Sequence, residues 1–317
     1  MLKTLLPILL VLALSACTGP RTLPDLPPDG VELNETPFHP QERYQCGPAA
    51  LATVLQTAGV DTSPDALVDQ VWLPDRQGSL QLELVAATRR HDRVAYVIAP
   101  EFEALLAELQ AGRPVLVMQN LGMSWYPVWH FAVVIGFDPQ SKHILLRSAT
   151  TERLAMPLQR FLRSWMLAQS WAMVALPPGQ LPAAPDRRRY LGALADLERT
   201  GRAQVAVPGY AAWLERTPND TLALFGLANS QLALNDAAAA EGAYVRLLEV
   251  RAGDAAASNN LARLLLRRGC AEAARKVLSQ ITEPVPSALQ DAVSATRALA
   301  TDSEDAACRE SRGNRTY

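Results

Sequence analysis

The chain has 317 residues with 30 Lys and Arg against 32 Asp and Glu, a formal net charge of −2. That balance lacks the basic surplus a nucleic-acid partner would need. With 49% apolar and 20% charged residues the composition is that of an ordinary soluble protein, and the length exceeds what one core usually accommodates, so two domains are expected.

The N-terminus reads as a targeting segment. Lys3 supplies a positive start, Leu5 to Leu14 form an apolar run too short to span a bilayer comfortably, and Leu14-Ser15-Ala16-Cys17 matches the lipobox of bacterial lipoproteins. Residues 1–17 are therefore assigned as signal peptide and lipobox, with the mature chain beginning at an acylated Cys17 that anchors it to a membrane. Thr18 follows where an aspartate would suggest inner-membrane retention, so the expected address is the outer membrane, facing the periplasm. Residues 18–36 are proline-rich with little apolar periodicity, as far as Pro40, and read as an extended tether.

Residues 37–178 mix two periodicities. From Pro48, apolar residues at helical spacing run without a breaker to Gly59. Ser63-Pro64-Asp65 is an N-cap followed by proline at N1, opening a short helix to about Val71; a third helix follows Gly78-Ser79 through Leu80 to Ala87, and Glu101 to Ala111 is a fourth. The period then changes. Pro114 to Gln119, Val128 to Phe137, Ile144 to Ser148 and Trp171 to Leu176 read as strands, with a helix near Leu158 to Trp165. Helices first and an antiparallel sheet afterwards is an α+β arrangement.

Past the proline-rich boundary at residues 177–185, residues 186–300 are Ala/Leu-rich and helical. Ala206, Ala240 and Ala274 recur at one interval, as do Tyr210, Tyr244 and Leu278, and Leu227-Ala228 is echoed by Leu261-Ala262. That period is the one of tetratricopeptide repeats. Three repeats are expected, from Arg187 to Pro218, Thr221 to Ala252 and Ala255 to about Pro286, with a capping helix from Ser287 to Ala300 and a tail over 301–317. Stacked helix pairs leave a concave groove, here expected to take a peptide or protein partner.

Cys46 sits in Gln41-Glu42-Arg43-Tyr44-Gln45-Cys46-Gly47-Pro48 at the start of the first helix. There the unpaired N–H groups and the positive end of the helix dipole favour thiolate, the species that attacks a carbonyl. Gly47 removes a side chain beside the sulfur, leaving room for a substrate backbone. A lone cysteine can equally be a buried small hydrophobe. A thiol nucleophile needs a base, and of the four histidines His39, His91 and His143 read as solvated, whereas His130 opens the apolar strand His130-Phe131-Ala132-Val133-Val134-Ile135 behind Trp125, Tyr126 and Trp129. His130 is the natural partner for Cys46. No His/Cys/Asp cluster has metal-ligand spacing and no glycine-rich phosphate loop is present, so neither metal nor cofactor is expected.

The segment Gln41-x-x-x-x-Cys46-Gly47-Pro48-Ala49-Ala50, with His130-Phe131-Ala132-Val133-Val134 downstream, resembles the papain-like peptidases related to bacteriocin-processing, double-glycine-leader peptidases. The likeness spans Phe38 to Leu176. The combination of signal, catalytic domain and C-terminal repeats resembles a smaller group of lipoprotein-like cysteine peptidases. It implies a papain-like α+β domain followed by an all-α repeat domain, with Cys46 as nucleophile, His130 as general base and acid, and Gln41 as an oxyanion donor. Gln41 lies one residue nearer Cys46 than relatives often have it, leaving Gln45 open for that role. The family orients its histidine with an Asp on the next strand, where this chain reads Leu146-Arg147-Ser148-Ala149. Asp138 is excluded by reach, since eight strand residues place it about 26 Å from His130. Ser148 or Thr150 is then expected to face the imidazole without bringing a charge. The function implied is a membrane-anchored cysteine peptidase acting on a peptide or protein substrate; the alternative is a weak or inactive peptidase fold serving as a binding scaffold. Cys270 and Cys308 are the pair open to a disulfide in an oxidising compartment, the other state being two free thiols.

Overall fold

A computed structural model describes residues 23–40, 45–281, 284–305 and 308. Cys17 and the lipobox, as well as Gln41, lie outside these residues. Among the described residues no helix is long and apolar enough to cross a membrane.

The α+β half is built on an antiparallel sheet in the order β4 (Val94–Val97), β9 (Ala172–Leu176), β5 (Val115–Asn120), β6 (Trp129–Asp138), β7 (His143–Ser148) and β8 (Thr151–Pro157), with β1 (Val31–Glu32) joining β6 where β5 has ended. Period-two alternation divides the sheet between two cores. Leu116, Phe131, Val133, Ile135, Leu145 and Met173 face α1 (Cys46–Thr57), α2 (Pro64–Val71) and α3 (Gln81–Arg90). Val115, Val117, Ala132, Val134 and Leu146 face α4 (Phe102–Gln110), α5 (Leu158–Met166) and the helical half. The α1 helix fits its place because Gly47 to Leu55 are all buried, an almost wholly apolar surface laid on the sheet. Ser63 caps α2 as expected, its hydroxyl accepting from Ala66 N.

Three expectations are corrected. Residues 31–36 are not tether: Val31 pairs with Phe137, Thr36 is buried, and the buried Arg147 guanidinium donates to the carbonyls of Asn34 and Thr36. Gly78–Ser79 does not merely lead into a helix but forms β3, paired with β2 (Trp72–Leu73). Finally, β4 and β8 are strands that local pattern did not disclose; they form the two edges of the sheet.

The helical half consists of α6 (Arg187–Arg199), α7 (Ala203–Arg216), α8 (Thr221–Ala233), α9 (Ala237–Val250), α10 (Ala255–Arg267), α11 (Ala271–Ser279) and α12 (Ser287–Asp302). The paired helices begin at Arg187, Thr221 and Ala255 and at Ala203, Ala237 and Ala271, 34 residues apart in each series. Ala206, Ala240 and Ala274 are fully buried where helices meet. Asp186, Asp220, Asp236 and Asp254 each cap the helix that follows, satisfying N–H groups that would otherwise lack partners. Cys270 and Cys308 are joined in a disulfide, with Cα atoms 4.7 Å apart, which ties Cys308, in the tail beyond α12, to the residue that precedes α11. The two halves meet through Tyr96, whose hydroxyl donates to Ala184 O and accepts from Asp186 N, and through Ala183 N, which donates to the buried Glu108.

Candidate active site

Cys46 is the first residue of α1, and its neighbour Gln45 provides no side-chain cap. The free N–H groups of that first turn, with the backbone N–H of Phe131, act on the sulfur in the direction that favours thiolate. Phe131 belongs to β6 and directly follows His130. On the other side of β6, β7 pairs only as far as Val133↔Arg147 and then turns into β8 at Ser148↔Thr151. The opening residues of β6 therefore lack a strand neighbour on that side.

His130 carries a hydrogen bond between Nε2 and Ser148 Oγ at 2.9 Å. The register around the β6–β7 turn thus puts Ser148, rather than Thr150, against the ring. With Nε2 so engaged, Nδ1 is the nitrogen left for chemistry. Asp138 is at the far end of β6, where it accepts from Gln140 N and from the Ser141 hydroxyl. Of the remaining histidines, His39 donates to Gln56 of α1, His91 ends α3 beside Gln70, and His143 bonds Ser141 O through its Nδ1.

The electrostatics differ from the thiolate expectation. Burial pushes the Cys46 thiol above its usual range, and the three backbone N–H donors offset this only in part. Burial likewise holds the His130 imidazole below its usual value. Both shifts favour neutral thiol and neutral imidazole at rest, because the low-dielectric setting costs more than the helix terminus returns.

Gly47 also has a different reason from the one expected. A Cβ there would stand 2.1 Å from Ser79 Oγ and 3.9 Å from Phe131 Cδ2. The missing side chain makes room for Ser79 of β3, and the start of α1 is held between β3 and β6. Ser79 Oγ is buried without a hydrogen-bond partner, as is Oε1 of Gln119. Gln119 pairs with His130 across the β5–β6 ladder and donates through Nε2 to Ser164 Oγ. Neither residue was distinguishable in the sequence, since a serine in a two-residue strand and a glutamine ending an apolar run carry no motif. Among the described residues no group of three or more His, Cys, Asp or Glu is placed to hold a metal ion.

Comparison with known proteins bears on this same region. Residues 33–173 match the model of the Peptidase_C39 like family, which begins within the segment that Arg147 fixes and ends in β9. The match supports a papain-like peptidase domain in the α+β half. Among solved structures, the chain aligns with a protein from Bacillus anthracis described as a C39-like peptidase, at 18% identity over 47% of this chain and 98% of that one, with a TM-score of 0.40. No curated relative matches the chain.

Proposed function

We propose that the α+β half is a cysteine peptidase in which Cys46 attacks the scissile carbonyl and His130 moves the protons. The observation that carries this reading is the place of Cys46 at the uncapped start of α1, packed on the strand that carries His130, whose Nε2 is already held by Ser148. His130 Nδ1 takes the thiol proton as the sulfur bonds to the carbonyl carbon, and the N–H groups at the uncapped start of α1, with Gln41 as a further donor, receive the oxyanion. The amine leaves with that proton, and His130 then takes a proton from the water that cleaves the thioester. Ser148 positions the ring. A neutral pair suits this mechanism, because the proton is transferred during attack rather than before it.

In this reading the lipobox motif makes Cys17 a lipid anchor, Thr18 directs it to the outer membrane facing the periplasm, and the groove of the repeats recruits a peptide or protein. A second reading, a weakly active or inactive scaffold, is favoured by one observation: Ser148 brings no negative charge to steady an imidazolium.

Incubation of the full chain with a peptidyl acyloxymethyl ketone, followed by peptide mapping, tests the proposal. One adduct at Cys46, absent in Cys46→Ala and His130→Ala and retained in His143→Ala, is expected. Equal labelling of the His130→Ala protein would remove the mechanism, and no labelling of the unmodified chain would favour the scaffold.

A further inference from the structure

The large apolar side chains left in solvent are not scattered evenly. Leu121, Met123, Trp125, Tyr126, Val128 and Trp129 are 48, 52, 78, 69, 47 and 52% exposed, all within the hairpin that joins β5 to β6 and delivers His130. A patch of this kind marks a recognition surface rather than chance exposure.

The hairpin is built to hold its shape. Buried Asn120 accepts from Gly122 N and Val128 N, both at 2.9 Å, and donates to Met123 O at 3.3 Å. Leu121 N donates to Val128 O, while Met123 and Tyr126 exchange backbone bonds at the tip. Gly122 is required, because a Cβ there would lie 2.4 Å from Tyr126 O and 2.9 Å from Val128 N. Exposed aromatic rings on a backbone fixed in this way lose little freedom when they are covered, which is how Trp and Tyr serve as anchors in binding surfaces.

Its position sets what it could cover. The start of α1 is held between Phe131 of β6 and Ser79 of β3. The hairpin leads on the Phe131 side directly into His130. On the Ser79 side, Leu82 at the start of α3 is 75% exposed. Exposed apolar side chains thus lie near in sequence to both of the residues, Phe131 and Ser79, that hold the start of α1. From Pro114 to Phe137 the sequence carries no Lys, Arg, Asp or Glu. Basic residues that would hold the hairpin to anionic lipid are missing from it, and a charged peptide would find no counter-ion there.

We propose that the Leu121–Trp129 hairpin is the specificity wall of the candidate active site, and that it selects an extended, uncharged peptide segment bearing large apolar side chains next to the scissile bond. This rests on the peptidase reading for the bond that is cut, but the recognition itself can be read without cleavage. Trp125 and Tyr126 anchor the segment, Trp129 and Leu82 border it, and Asn120 is the positioning residue that keeps the wall in register.

The test uses the full chain carrying Cys46→Ala, so that binding is separated from chemistry. Fluorescence anisotropy would compare a labelled Leu/Phe/Ala peptide with one in which the large residues are replaced by Glu and Ser. The apolar peptide is expected to bind at least tenfold more tightly, and Trp125→Ser with Tyr126→Ser to abolish that preference; circular dichroism would verify the fold. Phe at both positions should retain most of it. A preference unchanged by the Ser pair, or no binding of either peptide, overturns the proposal. So does loss of binding to phosphatidylcholine vesicles with peptide binding intact, which would make the hairpin a membrane contact. Failure of the peptidase reading looks different: the preference tracks the hairpin, yet Cys46 in the unmodified chain forms no adduct.

Discussion

Four helices of the helical half and the helix that opens with Cys46 treat their N-termini differently. In the helical half, Asp186, Asp220, Asp236 and Asp254 close the N-termini of α6, α8, α9 and α10. In the α+β half, α1 begins at Cys46 with no side-chain cap and no acidic residue in its first turn. Those four capped ends are structural joints, whereas the uncapped start of α1 keeps donors and a positive field available for a developing anion. The repeats take their order from a local period of 34 residues, while the candidate site takes its order from contacts far apart in sequence: Cys46 with Phe131, Gly47 with Ser79, His130 with Ser148. Stability is local in one half, and geometry is non-local in the other.

The largest separation between the halves is expected from the disulfide. Cys270 and Cys308 are 38 residues apart, and chain entropy assigns a loop of that size about 4 kcal/mol. Cys270→Ser should loosen α11 and α12 in hydrogen exchange and leave exchange in the β5–β6 ladder unchanged. Loss of protection in both halves would mean that they unfold as one unit.

A slightly smaller effect is expected from Arg147→Ala. This guanidinium serves the carbonyls of Asn34, Thr36 and Glu152, and stranding buried acceptors costs about 3 kcal/mol here. Urea unfolding should show the loss, with residues 31–36 exchanging first. An unaltered urea midpoint would show that the segment is held by β1 pairing alone.

Ser148→Ala should slow Cys46 acylation roughly tenfold, about 1.4 kcal/mol, by releasing the His130 ring, without shifting the unfolding midpoint comparably. Ser148→Asp should restore or exceed the original rate, because a carboxylate at Nε2 stabilises the imidazolium. Equal rates in all three proteins would remove Ser148 as a positioning residue. The smallest change is expected at a repeat cap: Asp236→Ala removes the bond from Ala239 N and should cost about 1 kcal/mol, with acylation of Cys46 unaffected. A change in acylation rate would tie the repeats to the site.

Much of this was legible in advance because it was local. The helix from Cys46 follows from unbroken apolar spacing, the Ser63 cap from its proline, and the strands from Pro114 onward from alternation. The interval of buried alanines places the repeat helices. Ser148 could be found because a register counted from a short turn has only two solutions. What escaped depends on partners. The β4 strand is four residues long, and β8 alternates weakly because it is an exposed edge carrying Thr151, Glu152 and Arg153; each is a strand because β9 or β7 is beside it. The proline-rich start concealed β1 for the same reason. The ionisation of Cys46 was misjudged because helix position is visible in sequence and burial is not. Ser79 and Gln119 matter through unpaired atoms that only coordinates disclose.

The central claim is that His130 activates Cys46, and the pH dependence of Cys46 alkylation by iodoacetamide tests it most directly. Burial lowers the His130 pKa from its ordinary 6.5 and raises the thiol from its ordinary 9.0. With His130 as base, the rate should climb to its plateau below pH 6.5, as the imidazolium loses its proton. In His130→Ala the same climb should move above pH 9, following ionisation of the unaided thiol. Superimposable profiles for the two proteins would contradict the account.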